Sequence, residues 1–156
     1  MPDLVFNLNK DRPLVIPSQD KIFVECKCID KDKPLGTYYC KKGINRFITG
    51  DYAWAMQEAL MVAYIRRPAS EFDFGNKLKK TLEKKDWLFT TLSLPEPVDT
   101  RSLAIETLVY KTSHTRPFEW SHPEGTEPFG KAVPITLYHV CLDVYASNGS
   151  ENIHLN

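Results

Sequence analysis

The stretch Asp51-Tyr52-Ala53-Trp54-Ala55-Met56-Gln57-Glu58-Ala59-Leu60-Met61-Val62-Ala63-Tyr64-Ile65 decides how the rest of the chain is read. Between its ends only Gln57 and Glu58 are strongly polar. Asp51 suits the electropositive first turn of a helix, Arg66 and Arg67 suit the electronegative last turn, and Pro68 stops it. These signals predict one strongly apolar helix over about 51–65. A helix apolar nearly all round must be covered nearly all round. One sheet covers one side, so the chain's own loops or a neighbouring subunit must cover the other. Trp54 is then a candidate partner-binding residue. The run Tyr52–Ile65 has 14 residues, short of the roughly 20 a membrane-spanning helix needs, so no membrane partner is expected.

Before this stretch the sequence reads as β-structure. Leu4 to Leu8 is a short apolar run, Leu14 to Ile16 an edge piece limited by Pro17, and Lys21 to Ile29 the clearest strand. The polar segment 30–36 reads as a turn and Thr37 to Lys41 as the return strand of a hairpin. After the stretch, a basic helix is expected at about 76–86. Leu78 and Leu82 form its narrow apolar stripe, and Lys77, Lys79, Lys80, Lys84 and Lys85 line the rest. Trp87 to Leu94 and the β-branched segment 102–113 read as strands. Pro134 to Ala146 reads as a long one, with Tyr138, Val140, Leu142 and Val144 on its buried side. The expectation is an α+β fold, a mostly antiparallel β-sheet packed against the apolar and basic helices. It forms a single domain over 1–156, with a Pro- and aromatic-rich arm at about 114–133 and a polar tail at 147–156.

Composition bounds what such a domain does. With 156 residues, 42% of them apolar, the chain can bury a core, which excludes intrinsic disorder. Its 20 basic and 20 acidic side chains cancel, which argues against a polyanion binder acting through net charge. The cancellation is uneven: residues 66–85 carry a balance of +4 and residues 96–127 one of −3. The first residues lack a basic leader followed by a long apolar core. The expected location is therefore intracellular, in the cytoplasm or built into a particle, with Cys26, Cys28, Cys40 and Cys141 reduced.

Three constellations could carry chemistry. In the expected hairpin Cys26 falls opposite Cys40, with Cys28 on the same face, and His139 and Cys141 show the same i, i+2 spacing on the last strand. These are weak candidates for a zinc site, because Cys-x-Cys departs from the common ligand spacing, and plain core packing is the favoured alternative. Glu25 and Lys27, with Asp3 upstream, match the short pattern by which PD-(D/E)xK nucleases hold a divalent metal and activate water. The lysines of 76–86 could meet nucleic-acid phosphates, or simply face solvent. No phosphate-binding glycine loop, nucleophile elbow or His-Glu-x-x-His occurs, and no cofactor is expected.

The expected function is non-enzymatic: a structural or interaction subunit of a larger oligomeric assembly, with a virion ring or connector component as an analogy. Phe118, Trp120, Phe129 and Trp54 are its partner-binding residues. The alternatives are a metal-dependent nuclease using Asp3, Glu25 and Lys27, and a nucleic-acid or protein-binding module using the lysine-rich helix.

Overall fold

The computed structural model describes residues 1–7, 21–53, 55–68, 71–84, 90–101, 107–120 and 130–144. It is a mixed α+β fold. The strands are β1 (Leu4–Asn7), β2 (Lys21–Ile29), β3 (Glu58–Ile65), β4 (Thr91–Pro97), β5 (Leu108–His114), β6 (Glu119–Trp120), β7 (Gly130–Lys131) and β8 (Ile135–Asp143). One helical segment, α1, runs in wide π-type turns over Leu35–Ile44 and continues as an α-turn at Asn45–Ile48. The other, α2, spans Phe74–Leu82.

Six strands form one sheet in the order β1-β2-β3-β8-β5-β4, and β6 and β7 form a small separate ribbon. The β2–β3 and β3–β8 pairs are parallel, whereas β1–β2, β5–β8 and β4–β5 are antiparallel. The sheet is therefore mixed, not mostly antiparallel.

The decisive stretch does not form the expected helix. Its second half is β3, the strand between β2 and β8. Ala59, Met61, Ala63 and Ile65 are buried on one face, and Leu60, Val62 and Tyr64 are half-buried on the other. A central parallel strand is apolar on both sides, so its sequence lacks alternation and imitates an all-round apolar helix. The expected return strand at 37–41 is likewise helical. Parallel β2 and β3 cannot be joined by a tight turn, and α1 is the crossover between them.

Both helical segments pack on one face of the sheet. Tyr39 and Phe74 meet His139 there, and Gly43 approaches Met61 and Lys27. The core lies between, built from Ile29, Met61, Ile135 and Leu137 of the sheet against Ile44, Phe47 and Leu78 of the helices. On β8 this buried face is Ile135, Leu137 and His139, the opposite of the expected side. α2 begins at the cap Asp73, whose carboxylate accepts the Asn76 backbone N–H at 3.0 Å, and these bonds hold the carboxyl below its usual pKa. No helix among the described residues is long and apolar enough to cross a membrane.

Candidate functional site

Two polar clusters sit on the helix-covered face, in the row where Glu25, Met61, His139 and Tyr110 stand side by side across four strands. The first is charged. Glu25, on β2, is 1% exposed, and one carboxylate oxygen (Oε1) accepts from Lys27 Nζ, two residues on and on the same face. The other, Oε2, is buried and meets no donor among the described residues. Lys27 reaches it along Gly43 of α1. A Cβ at Gly43 would stand 2.7 Å from the Met61 methyl and 3.6 Å from Lys27 Cγ, so a larger residue there would require the Met61 side chain to shift. Arg46, one turn further on, donates to Tyr52 Oη, and Tyr52 donates to the Met1 carbonyl at 2.6 Å. The Tyr52 hydroxyl, then the carboxylates of Glu25 and Asp51, raise the Arg46 pKa further. Asp3 precedes β1, which pairs with β2, and its carboxylate accepts the Cys26 backbone N–H at 2.7 Å. Glu25 and Lys27 thus meet on the covered face, whereas Asp3 is exposed and engaged with the backbone of Cys26.

The second cluster is neutral. Tyr39 Oη lies 2.9 Å from His139 Nδ1, His139 Nε2 2.8 Å from Thr112 Oγ1, and Thr112 Oγ1 2.7 Å from His114 Nε2. Thr91 Oγ1 closes the chain 3.3 Å from His114 Nδ1. Tyr39, His139, Thr112 and His114 are all buried. One proton per link satisfies every contact when both imidazoles are neutral. Burial does keep them so, moving His139 down to about 3, with His114 adding to the effect, and His114 down to about 4.

The cysteines do not converge. Cys26 and Cys28 point to the helix-free face of β2, while Cys40 is buried in α1 on the other side, so the expected hairpin pairing of Cys26 with Cys40 is overturned. Cys141 lines a cleft of about 640 Å³ with Ile65, Phe72, Tyr110 and Asp143 at the C-terminal ends of β3 and β8. Desolvation pushes Cys40 and Cys141 each up to about 12, and raises Cys26 with help from Asp3. No group of three or more His, Cys, Asp or Glu side chains able to hold a metal occurs among the described residues.

Of the expected contact residues, Phe118 is half-buried. Its ring covers Gly50, whose φ of 84° and closeness to the ring (3.0 Å from a Cβ position) exclude other residues. It also lies 5.3 Å from the guanidinium of Arg116, which donates to the carbonyls of Val133 and Ala53. Trp120 belongs to β6. Trp54, Phe129 and Lys85 lie outside the described residues, as do Leu14 to Ile16, 102–106, the tail and the first three residues of the expected strand at 87–94, whose remainder falls largely in β4. Lys77, Lys79, Lys80 and Lys84 are exposed on or just after α2.

Sequence reasoning missed the edge of the sheet. β1 is exposed at every residue, with Leu4, Val5 and Phe6 at 51%, 42% and 54%, and Ile22 beside them on β2 at 40%. The signal was present in Leu4-Val5-Phe6, a run apolar on both faces at a strand with one neighbour. Comparison with protein-family models, with curated proteins and with solved structures returns no match.

Proposed function

We propose that the chain is a non-enzymatic structural or interaction subunit of a larger oligomeric assembly. The observation that supports this reading is the apolar edge strand β1. An unpaired strand edge is a template for another chain, and soluble proteins ordinarily blunt it with charge, proline or cover. β1 has neither charge nor proline, and its exposed Leu4, Val5 and Phe6 are apolar on both faces of the sheet. The apolar helix first expected to meet a neighbour is no part of this argument, because that segment is β3 inside the sheet. The native mass by light scattering tests the reading. An assembly larger than the 17.9 kDa chain, alone or with its co-expressed partner, is expected. A chain that stays monomeric in both settings refutes it.

A second reading has its own observation. The buried, half-satisfied carboxylate of Glu25 beside Lys27, with Asp3 on the adjoining segment, has the donor types of a metal-dependent nuclease. Asp3 and Glu25 would hold the divalent ion, and Lys27 would orient or deprotonate the attacking water. Incubation with DNA and RNA in Mg²⁺ or Mn²⁺ tests it. Cleavage lost in Glu25→Gln and Lys27→Met supports it, and no cleavage by the wild type removes it.

A further inference from the structure

The two edges of the six-stranded sheet are built to opposite rules. The β4 edge carries Pro95 and Pro97, which cannot donate to an added strand, and Glu96, which pairs with Lys111 at 3.4 Å. Its register against β5 shifts twice, between Thr91 and Ser93 and between Ser93 and Glu96. These are the devices that keep strand edges from pairing. The β1 edge has none of them: Leu4–Asn7 pairs regularly with Lys21–Val24 and is exposed throughout. Since β4 is blocked, head-to-tail joining of β1 to a neighbour's β4 is disfavoured, and among the described residues the unblocked edge of the six-stranded sheet on an identical chain is β1 itself.

We propose that β1 pairs antiparallel with β1 of a second copy about a two-fold axis at Val5, joining two sheets into one of twelve strands. This rests on the assembly reading and names its partner. The sequence of β1 suits the symmetry. Antiparallel neighbours directly opposite each other share a face, so an axis normal to the sheet midway between the two Val5 residues sets Val5 against Val5 and Leu4 against Phe6. Every one of those pairs is apolar, and aliphatic or aromatic pairs are favourable cross-strand contacts. No charged residue lies within Leu4–Asn7, so no like charges face each other across the paired strands. Both copies then present their helices on the same side. A four-residue strand makes a contact at the small end of specific interfaces, so the expected dissociation constant is on the order of micromolar.

Sedimentation velocity from about 1 to 200 µM tests the pairing, with the mass expected to rise from 17.9 kDa towards twice that value. Val5→Lys places two ammonium groups opposite each other and should hold the protein at the monomer mass, with an unchanged circular dichroism spectrum. Leu92→Lys, on the blocked edge, should dimerise like the wild type. In Val5→Cys the two thiols fall within disulfide range, so mild oxidation should give a covalent dimer that neither the wild type nor Leu92→Cys gives. A wild type that stays at 17.9 kDa throughout overturns the pairing. An oligomer that survives Val5→Lys overturns it too, but leaves the assembly reading standing, because another surface then holds the copies. A β1 that pairs with a different protein's strand would show as a monomeric wild type whose hetero-complex Val5→Lys dissolves, and this also overturns self-pairing.

Discussion

The two polar clusters of the covered face stand one residue apart in the same sheet row, separated by Met61, yet they handle burial differently. Glu25 and Lys27 form an ion pair that leaves one carboxylate oxygen without a donor among the described residues. Tyr39, His139, Thr112 and His114 link their polar atoms head to tail with both imidazoles neutral. A neutral chain costs only the alignment of its hydroxyls. A buried ion pair carries a desolvation penalty that the pairing itself only partly offsets. The comparison teaches that the histidines serve the fold at neutral pH, whereas Glu25 is held at a cost that packing alone does not require.

Acid should break the neutral chain with the largest effect. Both imidazoles have folded pKa values well below the ordinary 6.5, so between about pH 6 and 4 the unfolded chain binds more protons than the folded one. The stabilisation is therefore complete above pH 6.5 and lost as pH falls towards 4 and 3. Each imidazole contributes a slope of up to about 1.4 kcal/mol per pH unit. Urea midpoints measured from pH 7 to pH 4 should show it, and His139→Phe should roughly halve the slope. An equal slope in that variant would show that the histidines are not the proton-linked groups.

Removing one partner of the charged pair comes next. Lys27→Met leaves the Glu25 carboxylate buried and uncompensated, at a cost of about 3 kcal/mol, the low end for a buried pair because Lys27 keeps a fifth of its side chain in solvent. Adding Glu25→Leu should restore most of it. A double variant as unstable as the single one would mean that the pair itself specifies the packing of α1. Tyr39→Phe should cost about 1–2 kcal/mol by leaving His139 Nδ1 without its donor. Thr91→Val, at the long 3.3 Å end of the chain, should cost no more than about 0.5 kcal/mol in the same denaturation assay.

Much of the architecture could be read locally. Lys21–Ile29 alternates and is a strand, and Leu78 with Leu82 marks the buried stripe of α2. β3 could not be told from a helix by periodicity, because its second polar face is missing. The Gln57-Glu58 pair was the available clue: it leaves only seven apolar residues behind it, a strand's length. β8 was read inside out for a related reason. His139 and Cys141 look like solvent-side residues until Tyr39 and Thr112, 100 and 27 positions away, supply the partners that let the imidazole be buried. Glu25 escaped in the same way, since its burial depends on α1 and Gly43 rather than on its strand neighbours. Local pattern reports which residues prefer water, and only the assembled fold shows which of them obtained a substitute.

The parallel pairing of β3 with β8 also has a consequence in time. Each β3 residue is matched with one 78 positions later, from Glu58 with Thr136 to Ile65 with Asp143. At the usual pace of synthesis, β3 leaves the ribosome roughly four to sixteen seconds before its neighbour does. During that interval its Leu-Met-Val-Ala-Tyr-Ile edge is open, and the sheet cannot close however stable its early half may be. The last of the described strands to be made is the one that completes the middle of the sheet, so the open edge of β3 can meet wrong partners before its own one exists.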